Sequence, residues 1–247
     1  MRSILISGAA QGIGAAIARL FYAHHYKVGI YDINSAQAEQ LAASLGPNAK
    51  AGQLDVSNYQ DWQTALAEFV AWAGELNVLV NNAGNADGLE PISEGNIADW
   101  DAMMDGNVKG LLYVSQPIIK IMKARNTGHI INISSVAARQ TYANGVVYCA
   151  SKRAVDVISE GMRIELTEFG IKVTNIQPGA VETDFSKVRF KGDEQRAATV
   201  YAGYEALKAE DIADAISYCV NAPERVSIAE LCIYPKAQAE PRTIHRK

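Results

Sequence analysis

Tyr148 and Lys152 stand four residues apart in the run Tyr148-Cys-Ala-Ser-Lys152. Helix positions i and i+4 share one face, so both side chains would point the same way. A tyrosine with a pKa near 10 is a poor base at pH 7, and a neighbouring ammonium would lower that pKa. The two residues are therefore a candidate acid/base pair, although this spacing alone also arises by chance. Cys149, inside the motif, is expected to be a packing residue.

Two other polar residues could join this pair. Ser135 precedes Tyr148 by thirteen residues and follows a predicted strand, where α/β sheets bind their ligands. Asn107 interrupts an apolar stretch within a predicted helix. Two readings of Asn107 stay open: a buried structural group, or a residue that bends the helix and holds a water molecule.

A glycine-rich run, Gly8-Ala-Ala-Gln-Gly12-Ile-Gly14, lies between the first predicted strand and the first predicted helix. Glycines there permit a tight turn and bring the backbone close to a pyrophosphate, which rests on the helix N-terminus. A glycine cluster alone also fits an ordinary turn. Its place between strand and helix favours a dinucleotide site.

Asp32, eighteen residues after Gly14, ends the second predicted strand. A carboxylate there can accept hydrogen bonds from both ribose hydroxyls of an adenosine, and it would repel a 2′-phosphate. Neither Ile33 and Asn34 nor residues 9–11 supply a positive charge for that phosphate. These residues predict NAD rather than NADP; the alternative is that Asp32 only caps a loop.

The elements that must position these residues alternate along the chain. The predicted strands are Ser3–Ser7, Lys27–Tyr31, Ala49–Leu54, Leu76–Val80, His129–Ser134, Ile171–Ile176 and Ser227–Ile233. The predicted helices are Gly12–His25, Asn34–Leu45, one opened by Ser57 and Gln60, Asn96–Ala124 with a kink at Pro117, and Val146–Phe169 closed by Gly170. Such alternation predicts a single-domain α/β fold over residues 1–247, a Rossmann-type doubly wound parallel sheet of seven strands. The polar segment from about 179 to 205 interrupts the rhythm and is expected to be a substrate lid.

Composition excludes several other classes of protein. The formal net charge is −4 and no basic run occurs, which argues against nucleic-acid binding. No apolar run reaches the roughly 18 residues of a membrane span, so a cytoplasmic protein is expected. Three cysteines and four histidines lack metal-ligand spacing, and no metal site is predicted.

Together, these motifs resemble the short-chain dehydrogenase/reductase superfamily from about Ser3 to Ile233. The matching pieces are Ser7-Gly8 with Gly12 and Gly14, Asp55-Val56, Asn81-Asn-Ala-Gly84, Asn107, Ser135, Tyr148 with Lys152, and Pro178-Gly179 followed by Thr183. The family usually has threonine where this chain has Ser7, which keeps a hydroxyl.

The resemblance implies four catalytic roles. Tyr148 would be the general acid/base, and Lys152 would hold the nicotinamide ribose and depress the tyrosine pKa. Ser135 would hydrogen bond the substrate oxygen. Asn107 would anchor a proton relay through water.

The resemblance also implies the cofactor contacts. Asp55 and Val56 would contact the adenine, Asn81–Gly84 would line the cofactor floor, and Val181 and Thr183 would meet the carboxamide. The residues expected to bind NAD are Gly8, Gln11, Gly12, Ile13, Gly14, Asp32, Ile33, Asp55, Val56, Asn82, Ala83, Gly84, Tyr148, Lys152, Pro178, Gly179, Val181 and Thr183.

The runs Val188–Asp193 and Gly128–Asn132 are similar to those of bacterial 3-hydroxy acid (serine-type) dehydrogenases. By that resemblance, Ser135, Tyr148 and Arg189 would bind the substrate, with Arg189 as a carboxylate clamp. The alternative for Arg189 is a solvated lid residue. The subgroup usually prefers NADP and carries basic residues after the second strand, where this chain has Asp32.

The leading hypothesis is an NAD-dependent alcohol dehydrogenase that acts on a small polar secondary alcohol, such as a 3-hydroxy acid or an amino alcohol. One alternative is a 3-oxoacyl or general ketone reductase, which the polar lid disfavours. Another is a non-catalytic dinucleotide sensor, which the complete set of catalytic residues disfavours. The family implies a homotetramer formed through the two long helices. The polar tail, residues 237–247, could be disordered or could close a neighbour's active site.

Overall fold

A parallel sheet of seven strands forms the centre of the computed structural model, which describes residues 1–247. The strands are β1 (Ser3–Ser7), β2 (Lys27–Asp32), β3 (Ala49–Gln53), β4 (Val78–Asn81), β5 (Gly128–Ile133), β6 (Ile171–Pro178) and β7 (Glu230–Ile233). Their order across the sheet is β3-β2-β1-β4-β5-β6-β7. Because β1 and β4 are neighbours, the strand order reverses between them, which confirms the predicted doubly wound sheet.

Helices cover both faces of this sheet. They are α1 (Gly12–Ala23), α2 (Ser35–Leu45), α3 (Tyr59–Ala73), α4 (Ile97–Met104), α5 (Gly110–Arg125), α6 (Val146–Leu166), α7 (Phe185–Arg189), α8 (Glu194–Tyr201) and α9 (Ala209–Val220). None of them combines the length and apolar character needed to cross a membrane. No cluster of three or more histidine, cysteine, aspartate or glutamate side chains could hold a metal ion.

The apolar runs of the strands supply a core on each face of the sheet. Ile4 and Ile6 pack with α1, α2 and α9, whereas Leu5 between them packs with α3, α5 and α6. The alternation follows from the strand, whose successive side chains point to opposite faces. A strand covered on both faces must be apolar throughout, and all five residues of β1 are buried.

The long helix predicted over residues 96–124 is divided in the structure. It comprises α4, a π-helical turn at Asp105–Lys109, and α5. The sequence placed the distortion at Pro117, but α5 continues through that residue. The departure from α-helical hydrogen bonding lies at Asn107 instead, whose side chain bonds to neighbouring loop and helix atoms. Polar contacts of Asn107, rather than the missing N–H of Pro117, mark the irregular turn.

Local capping explains where several helices begin and end. The Asn34 side chain caps α2, since it accepts a hydrogen bond from the Gln37 N–H at 3.2 Å. The cap of α3 is Asn58 and not Ser57, since the Asn58 side chain accepts from two first-turn N–H groups. Gly170 has the left-handed φ of 64° that closes the segment after α6, as predicted.

The segment predicted as a polar lid, residues 179–205, forms α7 and α8. The tail folds against it: Arg246 donates to the carbonyl oxygens of Thr199, Val200 and Ala202 near the end of α8. The Lys247 N–H also donates to the Gly203 carbonyl at 2.8 Å. Within the single chain, these contacts place the end of the tail against the C-terminus of α8, where cationic groups are favourable.

We expect the protein to lose stability as pH falls from about 6.5 towards 4, because of His129. This side chain is buried at the start of β5, and its Nε2 lies 2.8 Å from the Thr174 hydroxyl. Burial, with Lys172 and Arg2, lowers the pKa of His129 to about 4. Because the unfolded histidine takes up its proton near pH 6.5, the folded state loses about 2 kcal/mol between pH 7.5 and 5.

Urea unfolding at the two pH values measures this loss. The His129→Gln variant should lose about 2 kcal/mol less than wild type over the same range. Equal pH dependence in the two proteins would contradict the assignment.

Candidate active site

A cavity of about 670 Å³ opens at the carboxyl ends of the strands. The predicted site residues on its wall are Gly8, Gln11, Gly12, Ile13, Asp32, Ile33, Asp55, Val56, Asn82, Ala83, Gly84, Ser135, Tyr148, Lys152, Pro178, Gly179, Val181 and Thr183. Four others lie off the wall: Gly14, Asn81, Asn107 and Arg189. The sequence therefore predicted residues that follow six different strands, β1 to β6, and that the sheet topology brings to one edge.

The glycine loop after β1 is packed too closely for larger residues. Gly8 has a φ of +63°, and a Cβ there would lie 2.8 Å from the Ala83 Cα. A Cβ on Gly14 would overlap the Gly8 carbonyl oxygen and lie 2.8 Å from the Ala9 Cα. Gly14 thus keeps the loop closed over the start of α1, while Gly8 and Gly12 line the cavity. This close cradle at a helix N-terminus fits a pyrophosphate group.

Asp32 lies at the other side of this loop, 9% exposed. Its Oδ2 accepts from the Ala10 N–H at 2.9 Å, and its Oδ1 accepts from the Asn34 N–H at 3.0 Å. The carboxylate thus fixes the glycine loop and also faces the cavity. Lys152, at the far end, is the one lysine or arginine on the cavity wall.

The predicted catalytic side chains meet beyond β5. Ser135 follows this strand, and Tyr148 and Lys152 lie in the first turns of α6. Lys152 Nζ donates to the Ile133 carbonyl at 3.0 Å and lies 6.0 Å from the Tyr148 ring centroid. The three side chains share one wall of the cavity.

Burial controls the acid/base properties of this group. It raises the pKa of Tyr148, against the lowering effects of the Ser135 hydroxyl and the Arg189 guanidinium. It lowers the pKa of Lys152 to about 8. In the chain without cofactor, desolvation dominates the pKa of Tyr148, and Arg189 is the cation that lowers it. The effect of Lys152 on the tyrosine pKa stays a prediction for the site with its cofactor bound.

Asn107 and Asn81 both make hydrogen bonds within the protein. Asn107 Oδ1 accepts from the Asn85 N–H at 2.8 Å, and its Nδ2 donates to the Asn85 carbonyl and to the Ser151 hydroxyl. It therefore holds the loop after β4 against α6. Asn81, expected on the cofactor floor, points inward and donates to Ser115 and Asn132.

Arg189 lies behind Tyr148 rather than on the main cavity wall. Its guanidinium is 5.4 Å from the Tyr148 ring centroid, its Nε donates to the Gly88 carbonyl, and its Nη1 donates to the Tyr142 hydroxyl. Its Nη2 is buried without a hydrogen-bond partner. Arg189 is thus neither a solvated lid residue nor fully satisfied by the protein.

Sequence reasoning missed several residues that line the site. Phe185 and Val188 of α7 line the cavity, so the segment predicted as a lid presents apolar side chains there despite its polar composition. The Phe185 ring lies 6.0 Å from that of Tyr148. Asn85 also lines the cavity, and its Oδ1 is buried without a partner. In the sequence, the one indication that Asn85 lines the site is its position directly after the motif Asn81–Gly84.

Comparisons with known proteins agree with this geometry. A short chain dehydrogenase family model matches residues 2–194. The chain is 39% identical over 237 residues to the NADP-dependent 3-hydroxy acid dehydrogenase YdfG of Salmonella typhi, covering 96% of both proteins.

Two solved structures extend the comparison. The closed form of a serine dehydrogenase complexed with NADP+ has a TM-score of 0.94 and 38% identity, over 99% of this chain and 100% of that one. A 3-ketoacyl-(acyl-carrier-protein) reductase from Brucella melitensis complexed with NADH has a TM-score of 0.86 and 26% identity, over 94% and 96%. With its fold, its strand-end cavity and its Ser135, Tyr148 and Lys152 in place, this chain belongs to the short-chain dehydrogenase family.

Proposed function

We propose that this protein is an NAD-dependent dehydrogenase of a small polar secondary alcohol, such as a 3-hydroxy acid or an amino alcohol. The observation that carries this proposal is the buried, unpartnered Nη2 of Arg189 beside Tyr148. A guanidinium donor without a protein acceptor suits a substrate carboxylate. In this proposal, residues 179–205 act as a lid that would bring this charge to the substrate.

The chain's own residues account for proton handling and orientation. Tyr148 would exchange a proton with the substrate oxygen, and Ser135 would hydrogen bond the same oxygen. Lys152 would hold the cofactor ribose, and Asn107 would support a water relay towards it. A bound nicotinamide dinucleotide supplies the hydride-accepting group.

The charge around Asp32 supports NAD over NADP. Asp32 faces the cavity, and Leu54, Asp55, Val56 and Ser57 line the same region without a cation. A 2′-phosphate there would meet two carboxylates and no guanidinium or ammonium group. One relative described above is named as NADP-dependent, and another is bound to NADP+. The proposed preference for NAD therefore has to be tested in this chain itself.

We expect kcat/KM with NAD⁺ to exceed that with NADP⁺ by at least a hundredfold, since about 2.7 kcal/mol of discrimination suffices. The Asp32→Ser/Ile33→Arg double variant should lose most of that preference. Glu39→Gln, which removes an exposed carboxylate from the adjacent α2, is the matched control and should keep it. A wild-type enzyme that favours NADP⁺ would contradict the proposal.

Asn85 supports a substrate with a second polar group. Its Nδ2 donates to the Asp87 carboxylate, which turns Oδ1 to a buried position without a donor. A substrate ammonium or hydroxyl could supply that donor. An amino group on a 3-hydroxy acid would satisfy Asn85 and Arg189 together.

Arg189→Met should raise the KM for a 3-hydroxy acid roughly thirtyfold to a hundredfold, through loss of a charged hydrogen bond. The KM for a neutral secondary alcohol of similar size should change little. Comparing these two substrates separates carboxylate binding from the support that Arg189 gives to Gly88 and Tyr142. Lys187→Gln, an exposed charge on the same short helix, is the control.

An unchanged KM for the hydroxy acid would remove Arg189 from the substrate site. The apolar faces of Phe185 and Val188 favour a second candidate, a ketone reductase for less polar substrates. Preference for long-chain ketones in the same panel would support it.

The homotetramer remains a proposal, supported by exposed apolar side chains on α6. Val157 is 60% exposed and Ile164 is 73% exposed in the single chain. Light scattering on wild type and on Val157→Glu tests whether this face is covered in solution.

A further inference from the structure

A buried carboxylate lies behind the candidate active site. Asp156, one helical turn after Lys152 on α6, has a side chain that is 10% exposed. Its Oδ1 accepts from the Ser134 hydroxyl at 2.6 Å and from Asn175 Nδ2 at 2.7 Å, and its Oδ2 accepts from Gln177 Nε2 at 3.0 Å. The carboxylate therefore joins α6 to the carboxyl ends of β5 and β6.

These bonds fix the segment that carries Ser135. Ser134, immediately before it, bonds to Asp156 and has its hydroxyl 3.1 Å from the Lys152 carbonyl oxygen. Ile133, the preceding residue, accepts from Lys152 Nζ. The position of Ser135 relative to Tyr148 and Lys152 is thus set by contacts that converge on Asp156.

The charges around Lys152 give Asp156 a second effect. Lys152 is buried, and Asp156 is the acidic group that opposes the lowering of the Lys152 pKa by burial. The other charged side chains around Asp156 and Lys152 are three arginines and, beyond Arg139, Glu230. Arg153 is 3.9 Å from Asp156, Arg139 bonds to Gln177 and lies 4.0 Å from Glu230, and Arg189 stacks near Tyr148.

We propose that Asp156 is a positioning residue for this reaction: its carboxylate aligns Ser135 through Ser134 and keeps the Lys152 side chain charged. A buried ammonium without a nearby anion loses its proton readily, and an amine without charge holds a cofactor ribose and a tyrosine phenolate less well. The proposal rests on the dehydrogenase chemistry of the family, and on neither the preferred cofactor nor the substrate proposed above.

The effect of Asp156 on the charge of Lys152 can be tested without measuring catalysis. In protein labelled with ¹³C-lysine, the Lys152 signal is assigned from its loss in Lys152→Arg and is then titrated by NMR. Asp156→Asn should move the Lys152 midpoint down by about one pH unit. Glu160→Gln, the same change at an exposed site on α6, should leave it unmoved. An unmoved midpoint in Asp156→Asn would overturn the charge effect, whether or not the protein turns over any alcohol.

Steady-state kinetics test whether Asp156 aligns Ser135 through Ser134. In Asp156→Asn, the alkaline limb of kcat/KM against pH should shift down by the same amount, with a loss of about fivefold near pH 8. Ser134→Ala keeps the carboxylate but removes one bond, so kcat should fall several-fold at every pH while the Lys152 midpoint stays. Wild-type kcat in Ser134→Ala would overturn the alignment role, and this variant stays informative if Asp156→Asn does not fold.

Discussion

Tyr148→Phe should lower kcat for alcohol oxidation about a thousandfold while cofactor affinity and folding stability remain near wild type. General acid/base groups typically contribute a hundredfold to ten-thousandfold to the rate. The phenyl ring keeps the contact with Phe185, and only the hydroxyl beside Ser135 is lost. Stopped-flow or steady-state assays of NADH formation measure the loss.

Tyr113→Phe is the matched control, since it removes a phenol from α5, away from the cavity wall. Its kcat should equal that of wild type. A Tyr148→Phe enzyme with near wild-type kcat would show that another group exchanges the substrate proton.

Gly14→Ala should destabilise the fold by about 3 kcal/mol and weaken dinucleotide binding a hundredfold or more. The added methyl would overlap the Gly8 carbonyl and lie 2.7 Å from Asn82 Nδ2, so the loop must open. Opening displaces the N–H groups at the start of α1 that would face the pyrophosphate. Urea unfolding and NADH fluorescence titration measure the two effects.

Gly161→Ala on α6 is the control, because it makes the same substitution at a glycine that has free space around it. A Cβ at Gly161 meets nothing within 4 Å, so alanine should stabilise the protein by up to about 1 kcal/mol. If both alanine variants bind NADH as wild type does, close packing at Gly14 is not what shapes the cofactor loop.

Local patterns in the sequence predicted most of the fold. The run Ser3–Ser7 is short, has the apolar residues Ile4–Ile6 at its centre and is followed by glycines, and it matches β1 residue for residue. Gly170 stops the helix before β6 through its left-handed backbone. Such features depend on neighbouring residues, which is why they can be read without the tertiary structure.

Features that depend on distant contacts were not predictable. The direction of the Tyr148 pKa depends on burial under α7 and on Arg189, 41 residues away in a segment that looked unpatterned. Only the tertiary structure shows that Phe185 and Val188, on one turn of α7, both line the cavity. The network around Asp156 joins three elements, and no local pattern indicates it.

The π-helical turn at Asp105–Lys109 has a consequence for how this chain tolerates changes in length. A π turn holds one residue more than the α-helical repeat, so deleting Val108 would restore a continuous α-helix. Because the π turn absorbs its extra residue locally, α4 and α5 would keep close to their present register after that deletion. The backbone around Asn107 would tighten, which would move its side chain relative to Asn85 and Ser151 although every residue of the cavity wall would still be present. Deletion of Val108 should therefore preserve the helix while loosening the loop after β4, because the extra residue sets where the Asn107 side chain lies.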